Sequence, residues 1–470
     1  MEKVSTLLSE NMVYLGKSLG VGTNFDVLYR VVEVGGRQAC LYMIDGFCKD
    51  EVMQKLMQHF MSVTPDKMPA DAYQMSKQLL CYGEVDLKEK WAEIEYAVMS
   101  GVVAMFVDGF DRCILIDART YPARSVSEPE KDKVLRGSKD GFVETIVFNT
   151  ALIRRRIRSS QLRMVMMKAG TTSQTDIVLC YMEDRVDQEF LRRIKERILS
   201  LKVDALSLNQ ESLAECLYQR RWYNPFPKFK YTERPDTAAA QVLEGNIIIL
   251  VDNSPSAMIT PTTFFDVIEE ADDYYFPPIT GTYLRLSRMI IAILTYLVTP
   301  TFLLLMKYPE WIPPQFSFIQ LQDDINVPLI WQFLILELAI DGLKLAAVNT
   351  PNMLSTPLSV MAALVLGEFS VKSGWFNSEV MLYMAFVAVA NYTQNSLEMG
   401  YALKFMRVVN LILTAIFGLG GYLAGIAILI FSIATNRTVS KQSYLYPLFP
   451  FNGKQLWHQL VRTRMPGARK

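Results

Sequence analysis

Eighteen consecutive residues without a charge, Met289 to Met306, constrain this chain more than any other feature of its sequence. A stretch of that length can cross a bilayer as a helix, and Pro300 inside it is tolerated in membrane helices. Charges recur every few positions before residue 286, whereas long apolar runs dominate residues 286–435. The sequence therefore predicts a soluble domain joined to a membrane domain.

The charges around this stretch predict its orientation. Arg285 and Arg288 precede it, while the loop after it carries one basic and three acidic residues. By the positive-inside rule, the soluble domain is expected on the cytoplasmic side. Nine basic residues and no acidic residue follow Glu398, so the C-terminus is expected there too, with an even number of full crossings.

The remaining membrane segments are less regular. A second span is predicted from about Val327 to Val348. The apolar segments 357–367 and 380–394 are short for a crossing, which is typical of broken or re-entrant pieces. The run 408–434 fits either one long span or a hairpin folded at Gly418 to Gly421.

The soluble half reads as two α/β units with reduced thiols. Two strands flank the turn at Gly35-Gly36, and a later helix leads to two strands joined at Asp108-Gly109. All six cysteines lie in this half without a CxxC pair, and the start of the chain has no signal-peptide core.

A weak internal sequence repeat predicts the role of Asp252. The stretches "GVVAMFVDGFDRCILID" and "GNIIILVDNSPSAMITP" align without a gap, and each carries Val-Asp where a strand breaks after a helix. An aspartate that opens a turn bonds nearby backbone, so Asp252 is predicted to be structural and not a catalytic acid. With Asn253 and Pro255 it is predicted to form a hairpin that couples the soluble domain to the membrane.

The predicted fold class is a multidomain chain, with a cytosolic α/β region of two subdomains followed by a polytopic α-helical membrane domain. Its expected parts are residues 1–162, the first subdomain; 163–285, the second subdomain with a linker into the membrane; 286–436, the transmembrane domain with short or re-entrant segments; and 437–470, a basic cytosolic tail.

Three ionisable residues inside the second span are the candidate site. Glu337, Asp341 and Lys344 share one helical face, and each costs about 2.5–3.5 kcal/mol at that depth unless paired or wetted. They form either a salt bridge that staples a helix bundle or a polar wall of an ion pathway, and their net charge of −1 favours the pathway. Asn391 and Asn395 are candidates for the same lining, with an interfacial position as the alternative.

Other patterns are structural. Gly418, Gly421 and Gly425 are spaced for close helix packing. The basic run 154–158 fits a solvated helix end or an intersubunit ion pair better than a phosphate site. The sequence offers no catalytic triad and no metal-ligand cluster, so neither an enzyme nor a cofactor or metal is expected.

Two long stretches carry a family resemblance. Residues 127–158 and 231–266, with "ELAIDGLKLA" beginning at Glu337, resemble the signatures of the A subunits of bacterial spore germinant receptors, the GerA family. "VDNSPS" and the ending "PLFPFNGKQLWHQLVRTRMPGARK" are most similar to its stage V sporulation branch. Asp341 and Lys344 stand where the family commonly has Glu and Arg, which keeps the charge pattern but alters reach.

The resemblance implies a multi-pass protein of the spore inner membrane that acts in germination, with both termini cytoplasmic. It implies a homo-oligomer, a pentamer, forming a channel that releases monovalent cations and transmits or amplifies the germinant signal. The implied partners are the lipid bilayer, a small membrane protein and receptor B- or C-type subunits, with no nucleic acid. The alternatives are a non-conducting scaffold that clusters germination proteins and a transporter, although no inverted repeat is visible.

Overall fold

The computed structural model describes residues 3–80, 83–120, 137–218, 223–270, 272–349, 367, 369–394 and 396–462. The chain divides into two compact units. The α/β unit comprises Met1–Gln219 with Phe229–Pro261, and the helical unit comprises Arg220–Lys228 with Thr262–Lys470.

The α/β unit contains eight described helices and ten strands. The helices are α1 (Leu8–Leu19), α2 (Asp50–Ser62), α3 (Ala72–Gln78), α4 (Trp91–Met99), α5 (Ile146–Arg156), α6 (Gln188–Leu199), α7 (Gln210–Leu217) and α8 (Pro235–Leu243). The strands are β1 (Val27–Val34), β2 (Arg37–Ile44), β3 (Val85–Lys88), β4 (Val103–Val107), β5 (Cys113–Ile116), β6 (Leu162–Ala169), β7 (Thr175–Met182), β8 (Lys230–Thr232), β9 (Ile247–Val251) and β10 (Ala257–Thr260).

The strands form two antiparallel sheets of the same topology. The first has the order β1-β2-β4-β5-β3 and the second β6-β7-β9-β10-β8. The β1–β2 hairpin closes at Gly35-Gly36, where both φ angles are positive (54° and 77°) and Val34 pairs with Arg37. Such a two-residue turn matches the right-handed twist of the strands it joins.

The repeat extends to individual hydrogen bonds at the hairpin turns. Asp108, after β4, accepts a bond from the Leu8 amide through Oδ1 at 3.0 Å, and Asp252, after β9, accepts one from Ile146 at 3.3 Å. Leu8 and Ile146 begin α1 and α5, whose own N-cap residues make no side-chain cap bond. Each aspartate therefore caps a helix N-terminus from the opposite end of its repeat, which satisfies an otherwise unpaired amide.

A buried asparagine one turn into each helix completes the motif. The Asn11 side chain accepts from the Ser5 amide at 2.8 Å and donates to the Ser5 carbonyl at 2.6 Å. Asn149 does the same with the Val143 amide and carbonyl, at 2.8 and 2.6 Å. The weak internal sequence repeat thus belongs to a duplicated architecture in which α1 opens the first repeat and α5 opens the second.

The core of the second sheet includes α5. Ile146, Leu152 and Ile153 are buried with Leu162 and Val178. The predicted limit between residues 162 and 163 stays a prediction, but this packing associates α5 with the second sheet. The predicted order of an α/β region followed by a helical region is confirmed.

The helical unit contains nine described helices: α9 (Phe264–Ile268), α10 (Asp272–Tyr275), α11 (Pro278–Lys307), α12 (Leu329–Asn349), α13 (Ser370–Lys372), α14 (Ser378–Tyr392), α15 (Leu397–Phe417), α16 (Leu419–Ala434) and α17 (Gly453–Leu460). Helix α11 packs against α14 and α15, and α12 packs against the same two helices. Helices α15 and α16 form a hairpin at Gly418, which decides between the two alternatives for the run 408–434.

Two helices in the described part of the chain, α11 and α15, are long and apolar enough to cross a membrane. Helices α14 and α16 are apolar but shorter. Helix α12 has the length for a span and carries the three ionisable residues of the candidate site. The segment 357–366 lies outside the described residues.

Candidate functional site

A buried ion cluster joins three helices of the helical unit. Glu337 on α12 is 5% exposed, and its Oε1 accepts from Nε and Nη2 of Arg407 on α15 at 2.9 and 2.6 Å. The remaining Arg407 nitrogen, Nη1, donates to the carbonyl of Thr295 on α11 at 2.9 Å. Arg407 therefore connects α11, α12 and α15.

Lys404, one turn before Arg407, extends the cluster to Asp341. Its Nζ lies 3.5 Å from Glu337 Oε2, donates to the Glu337 carbonyl at 3.2 Å and pairs with Asp341 Oδ2. The Asp341 side chain is 29% exposed, against 6% for Glu337. Asp341 Oδ1 is buried and has no hydrogen-bond partner among the residues that the structure describes.

Lys344 is positioned by aromatic rings. Its Nζ lies 5.0 Å from the ring centre of Tyr392 and 5.7 Å from that of Tyr401. Both distances are within the range of a cation–π interaction. With Lys404 and Arg407, the cluster contains two carboxylates and three cations, so its net charge is +1 instead of the −1 expected from α12 alone.

The two asparagine candidates have different outcomes. Asn391, near the end of α14, has a buried Oδ1 without a hydrogen bond in the described part of the chain. That oxygen lies where a Cβ on Gly400 would be only 2.8 Å away, so Gly400 permits the approach of α14 to α15. Asn395 lies outside the described residues.

Lys404 and Arg407 were not among the sequence candidates, because they were counted only as part of the basic bias after Glu398. A signal was present. The two cations lie three residues apart in a largely apolar helix, and Glu337 and Asp341 lie four apart in another, so both pairs occupy single helix faces. Complementary charge pairs of this kind are expected to meet, because an unpaired charge in an apolar bundle is costly.

The predicted coupling hairpin is held by the α/β unit. Asn253 has a positive φ of 59°, and its carbonyl accepts from Asn209 Nδ2 at 3.2 Å. The Asn253 amide donates to the Glu144 carbonyl at 2.9 Å, beside the Asp252 cap of α5, while Pro255 is exposed. The contacts give Asp252 a structural role, and coupling to the membrane stays a prediction.

The three glycines lie where α15 and α16 approach most closely. A Cβ on Gly421 would overlap the Leu413 carbonyl, and a Cβ on Gly425 would overlap the Asn410 side chain. Gly418 adopts a φ of 59° at the turn, against the Tyr308 hydroxyl. The absence of a Cβ at these positions therefore allows the hairpin to close.

A second ion cluster lies at the start of α11. Arg285 Nη2 contacts Glu269 at 2.6 Å, Arg288 Nη2 contacts Asp273 at 2.7 Å, and both arginine side chains are almost fully buried. Tyr274 donates to Glu269, and burial together with that carboxylate raises the pKa of the Tyr274 hydroxyl. These contacts fix α9 and α10 to the first turns of the apolar helix.

Two arginines of the basic run at the end of α5 have partners within the chain, whereas Arg155 and Arg158 are exposed. Arg154 is fully buried, and Nε and Nη2 each donate to Asp26 at 2.9 Å. Arg156 contacts Asp140 at 2.6 Å. These two arginines are therefore intramolecular partners, whereas the sequence favoured a solvated helix end or an intersubunit pair.

No group of three or more His, Cys, Asp or Glu residues in the described ranges is arranged to hold a metal ion. The charged groups of the two clusters are paired or stacked, which is an arrangement that holds helices together.

Comparisons with known proteins give the family. The model of the Bacillus/Clostridium GerA spore germination protein family matches residues 14–470. The chain is 38% identical to Stage V sporulation protein AF of Bacillus subtilis (strain 168), over 98% of this chain and 93% of that protein. It is 25% identical to Spore germination protein KA of the same organism, over 98% of this chain and 85% of that protein.

A solved structure is also similar to part of this chain. It is the N-terminal domain of the A subunit of the Bacillus megaterium spore germinant receptor GerK3, with 26% identity, 56% of this chain and 97% of that chain covered, and a TM-score of 0.44. The family resemblance noted in the sequence is confirmed by the family model, which matches residues 14–470. The chain belongs to the Bacillus/Clostridium GerA spore germination protein family.

Proposed function

We propose that this chain is an integral membrane subunit of a spore germination complex, and that it forms a pentameric cation channel in the spore inner membrane. In this proposal, the channel releases monovalent ions and so transmits or amplifies the germinant signal. Both termini are on the cytoplasmic side, and the partners are a small membrane protein and receptor B- or C-type subunits. The germination role follows from the family, whereas conduction depends on the ion cluster.

One observation carries the channel proposal. Five charged side chains from α12 and α15 lie together in largely apolar helices, and ionisable groups at membrane depth commonly mark ion pathways. Within the cluster, Glu337 has Arg407 as a close partner and is nearly buried. Asp341 is more exposed and has one oxygen without a hydrogen bond among the described residues. We therefore assign the ion-facing role to Asp341 and the stapling role to Glu337.

Conductance of two matched variants tests this assignment. Purified protein, alone and with its small membrane partner, is recorded in planar bilayers as wild type, Asp341→Asn and Glu337→Gln. Asp341→Asn is expected to fold and to lose part of its preference for cations over anions. Glu337→Gln is expected to lose folded protein, because it leaves the Arg407 charge buried without its partner, a loss of about 3–5 kcal/mol.

Absence of a cation current under every condition, with normal germination of Asp341→Asn spores, would refute the channel proposal. That outcome would favour a non-conducting scaffold that clusters germination proteins. The close Glu337–Arg407 pair is the observation that favours the scaffold, because it is what a purely structural staple requires. The channel and the scaffold therefore predict different results for Asp341→Asn, whereas both predict a loss of folded protein for Glu337→Gln.

Oligomeric state is the second test. A pathway between identical subunits requires a closed ring, and a five-membered ring gives five copies of Asp341 around one axis. The mass of the purified protein in mild detergent is expected to be that of a pentamer. A stable monomer that still conducts would place the pathway inside one subunit, and a non-conducting monomer would exclude the ring.

A further inference from the structure

The C-terminal segment, residues 445–462, is bound to the first turns of α11. Arg285 Nη1 donates to the carbonyls of His458 and Gln459, at 3.0 and 2.9 Å. The Arg462 amide donates to Thr282 Oγ1 at 3.1 Å. These bonds fix the end of α17 beside residues 282–285.

Further contacts hold the segment in that place. Arg462 Nη2 donates to the Tyr274 carbonyl at 2.6 Å, and Gln459 Nε2 donates to Asp266 Oδ1 at 3.0 Å. A Cβ on Gly281 would lie 2.9 Å from Arg462 Cδ, so the glycine permits the close approach. The segment is therefore part of the helical unit and not a free tail.

The position along α11 sets the depth of the segment in a membrane. The charge-free stretch begins at Met289, four residues after Arg285, which is about 6 Å along a helix. The polar headgroup layer on each side of a bilayer is about 5–8 Å thick. When α11 crosses a bilayer, the residues bonded to Arg285, His458 and Gln459, lie at the level of the headgroups.

The surface of the segment suits that layer. Its large apolar side chains are exposed: Leu448 47%, Phe449 71%, Phe451 74% and Trp457 60%. No residue of α17 is buried. Tryptophan and other aromatic residues are enriched at the boundary between headgroups and acyl chains, and amphipathic helices bind there through such residues.

The charges of the segment are compatible with a lipid surface. Residues 445–462 contain Lys454 and Arg462 and no acidic residue. Three acidic side chains lie beside the segment: Asp266 accepts a hydrogen bond from Gln459, while Glu269 and Asp273 contact Arg285 and Arg288. A basic, aromatic surface at headgroup depth is typical of a segment that lies in the membrane interface.

We propose that the C-terminal segment is an interfacial membrane anchor, inserted in the headgroup–acyl boundary of the bilayer through Phe449, Phe451 and Trp457. This proposal goes beyond the proposed channel function, because the anchor requires only that α11 crosses a bilayer and not that the protein conducts ions. Through Arg285, the anchor connects the base of α11 to the bilayer surface.

Depth-dependent quenching of Trp457 tests the anchor. The full-length protein and its Trp457→Phe variant are placed in phosphatidylcholine nanodiscs whose acyl chains carry bromine either near the headgroup or near the chain end. The difference between the two emission spectra isolates Trp457. Bromine near the headgroup is expected to quench this difference emission more than bromine near the chain end.

Two double variants complete the experiment. Phe449→Ser/Phe451→Ser is expected to reduce the quenching of Trp457, because it removes the neighbouring aromatic side chains of the anchor. The matched control is Phe316→Ser/Phe318→Ser, a pair with the same spacing and 49% and 67% exposure at the other end of α11. The control is expected to leave the Trp457 quenching unchanged.

Two results would overturn the anchor. If neither brominated lipid quenches Trp457 and aqueous iodide does, the segment faces water. If neither agent quenches it until the oligomer is dissociated, a second copy of the chain covers the segment. Quenching by headgroup-proximal bromine in both the oligomer and the monomer supports the anchor.

Discussion

A buried ion pair joins the two repeats of the α/β unit. Arg154 belongs to α5 of the second repeat, and Asp26 lies just before β1 of the first, with side chains 0% and 3% exposed. The Arg154 Nη1 atom also donates to the Leu162 carbonyl at 3.3 Å. Nearby, Asn24 Oδ1 accepts from the Met164 amide at 2.8 Å. The guanidinium is thus satisfied by groups from both repeats.

Removing the acidic partner is expected to be costly. Asp26→Asn leaves the Arg154 charge buried without compensation, so the free energy of unfolding of the α/β unit is expected to fall by about 3–5 kcal/mol. Urea unfolding of the full-length protein in detergent measures it. The exposed Arg158, which contacts the Tyr96 hydroxyl at 3.2 Å, provides the control. Arg158→Ala is expected to change stability by less than about 0.5 kcal/mol, and equal effects of the two variants would contradict the role of the pair.

Sequence alone could not assign these partners. Arg154 stands in a run of basic residues, and a run of that kind usually lies in solvent. Its partner is 128 residues away, so no local spacing connects them. The same reason hid Lys404 and Arg407, whose carboxylates lie on another helix, whereas Glu337 and Asp341 were found because they share a helix face.

At the scale of elements, the hairpin of α15 and α16 depends on backbone contact. The overlap expected from a Cβ on Gly421 is with the main chain at Leu413, which cannot rotate away as a side chain can. At the preceding residue, Gly420, an added Cβ would have no other atom within 4 Å. Neighbouring glycines in one helix therefore have different requirements.

Gly421→Ala and Gly420→Ala form a matched pair. Gly421→Ala is expected to force the two helices apart and to destabilise the helical unit by about 1–3 kcal/mol. Gly420→Ala is expected to be neutral or stabilising by up to about 1 kcal/mol, because alanine has the higher helix propensity. Thermal unfolding in detergent compares them. Equal melting temperatures for the two variants would show that the close contact is not required.

The aspartate caps allow a test of the duplicated architecture. Asp252→Ala removes the cap of α5, and Asp108→Ala removes the equivalent cap of α1, so each is expected to cost about 1 kcal/mol of stability. Asp111 is 67% exposed in the first of these hairpins and serves as control. Equilibrium unfolding measures all three variants. An effect of Asp111→Ala as large as that of the caps would remove the distinction between a cap and a surface turn residue.

Local patterns predicted the elements with strong signals. The Gly35-Gly36 hairpin, the strand before Asp252 and the apolar helix around Met289 to Met306 all occur as expected, because turn chemistry and apolar runs are local properties. The sheet orders and the pairing of α12 with α15 could not be read in the same way. They depend on contacts between residues far apart in the sequence. The pattern within one segment does not show which other segment it contacts.

At the scale of the whole molecule, the described cysteines are free thiols, and three of them are shielded from solvent. Cys40, Cys113 and Cys180 are buried, while Cys48 and Cys216 are partly exposed. Burial raises the pKa of the Cys40 thiol to about 11, and it also raises the pKa of Cys113 and Cys180. The α/β unit therefore keeps these thiols protonated where free cysteine begins to ionise.

This protection predicts a loss of stability at high pH. The unfolded chain releases thiol protons near pH 8.5, about the value of free cysteine. The folded state retains them until its raised pKa, about 11 for Cys40. Since the folded state then binds more protons, stability is full below about pH 8.5 and falls as pH rises above it. Urea midpoints across this range are expected to fall for the wild type and less steeply for Cys40→Ala. Parallel profiles for the two would contradict this prediction.

The duplicated architecture of the α/β unit has one further consequence. The two halves close with the same aspartate and asparagine contacts, but β5 is followed by the chain that leads to α5, and β10 by the helical unit from Thr262. The first half therefore serves as a natural reference for the second. Positions at which the halves agree report what the shared architecture needs in order to fold. Positions at which the halves differ are candidates for residues that only the second half needs, because only that half continues into the apolar helices.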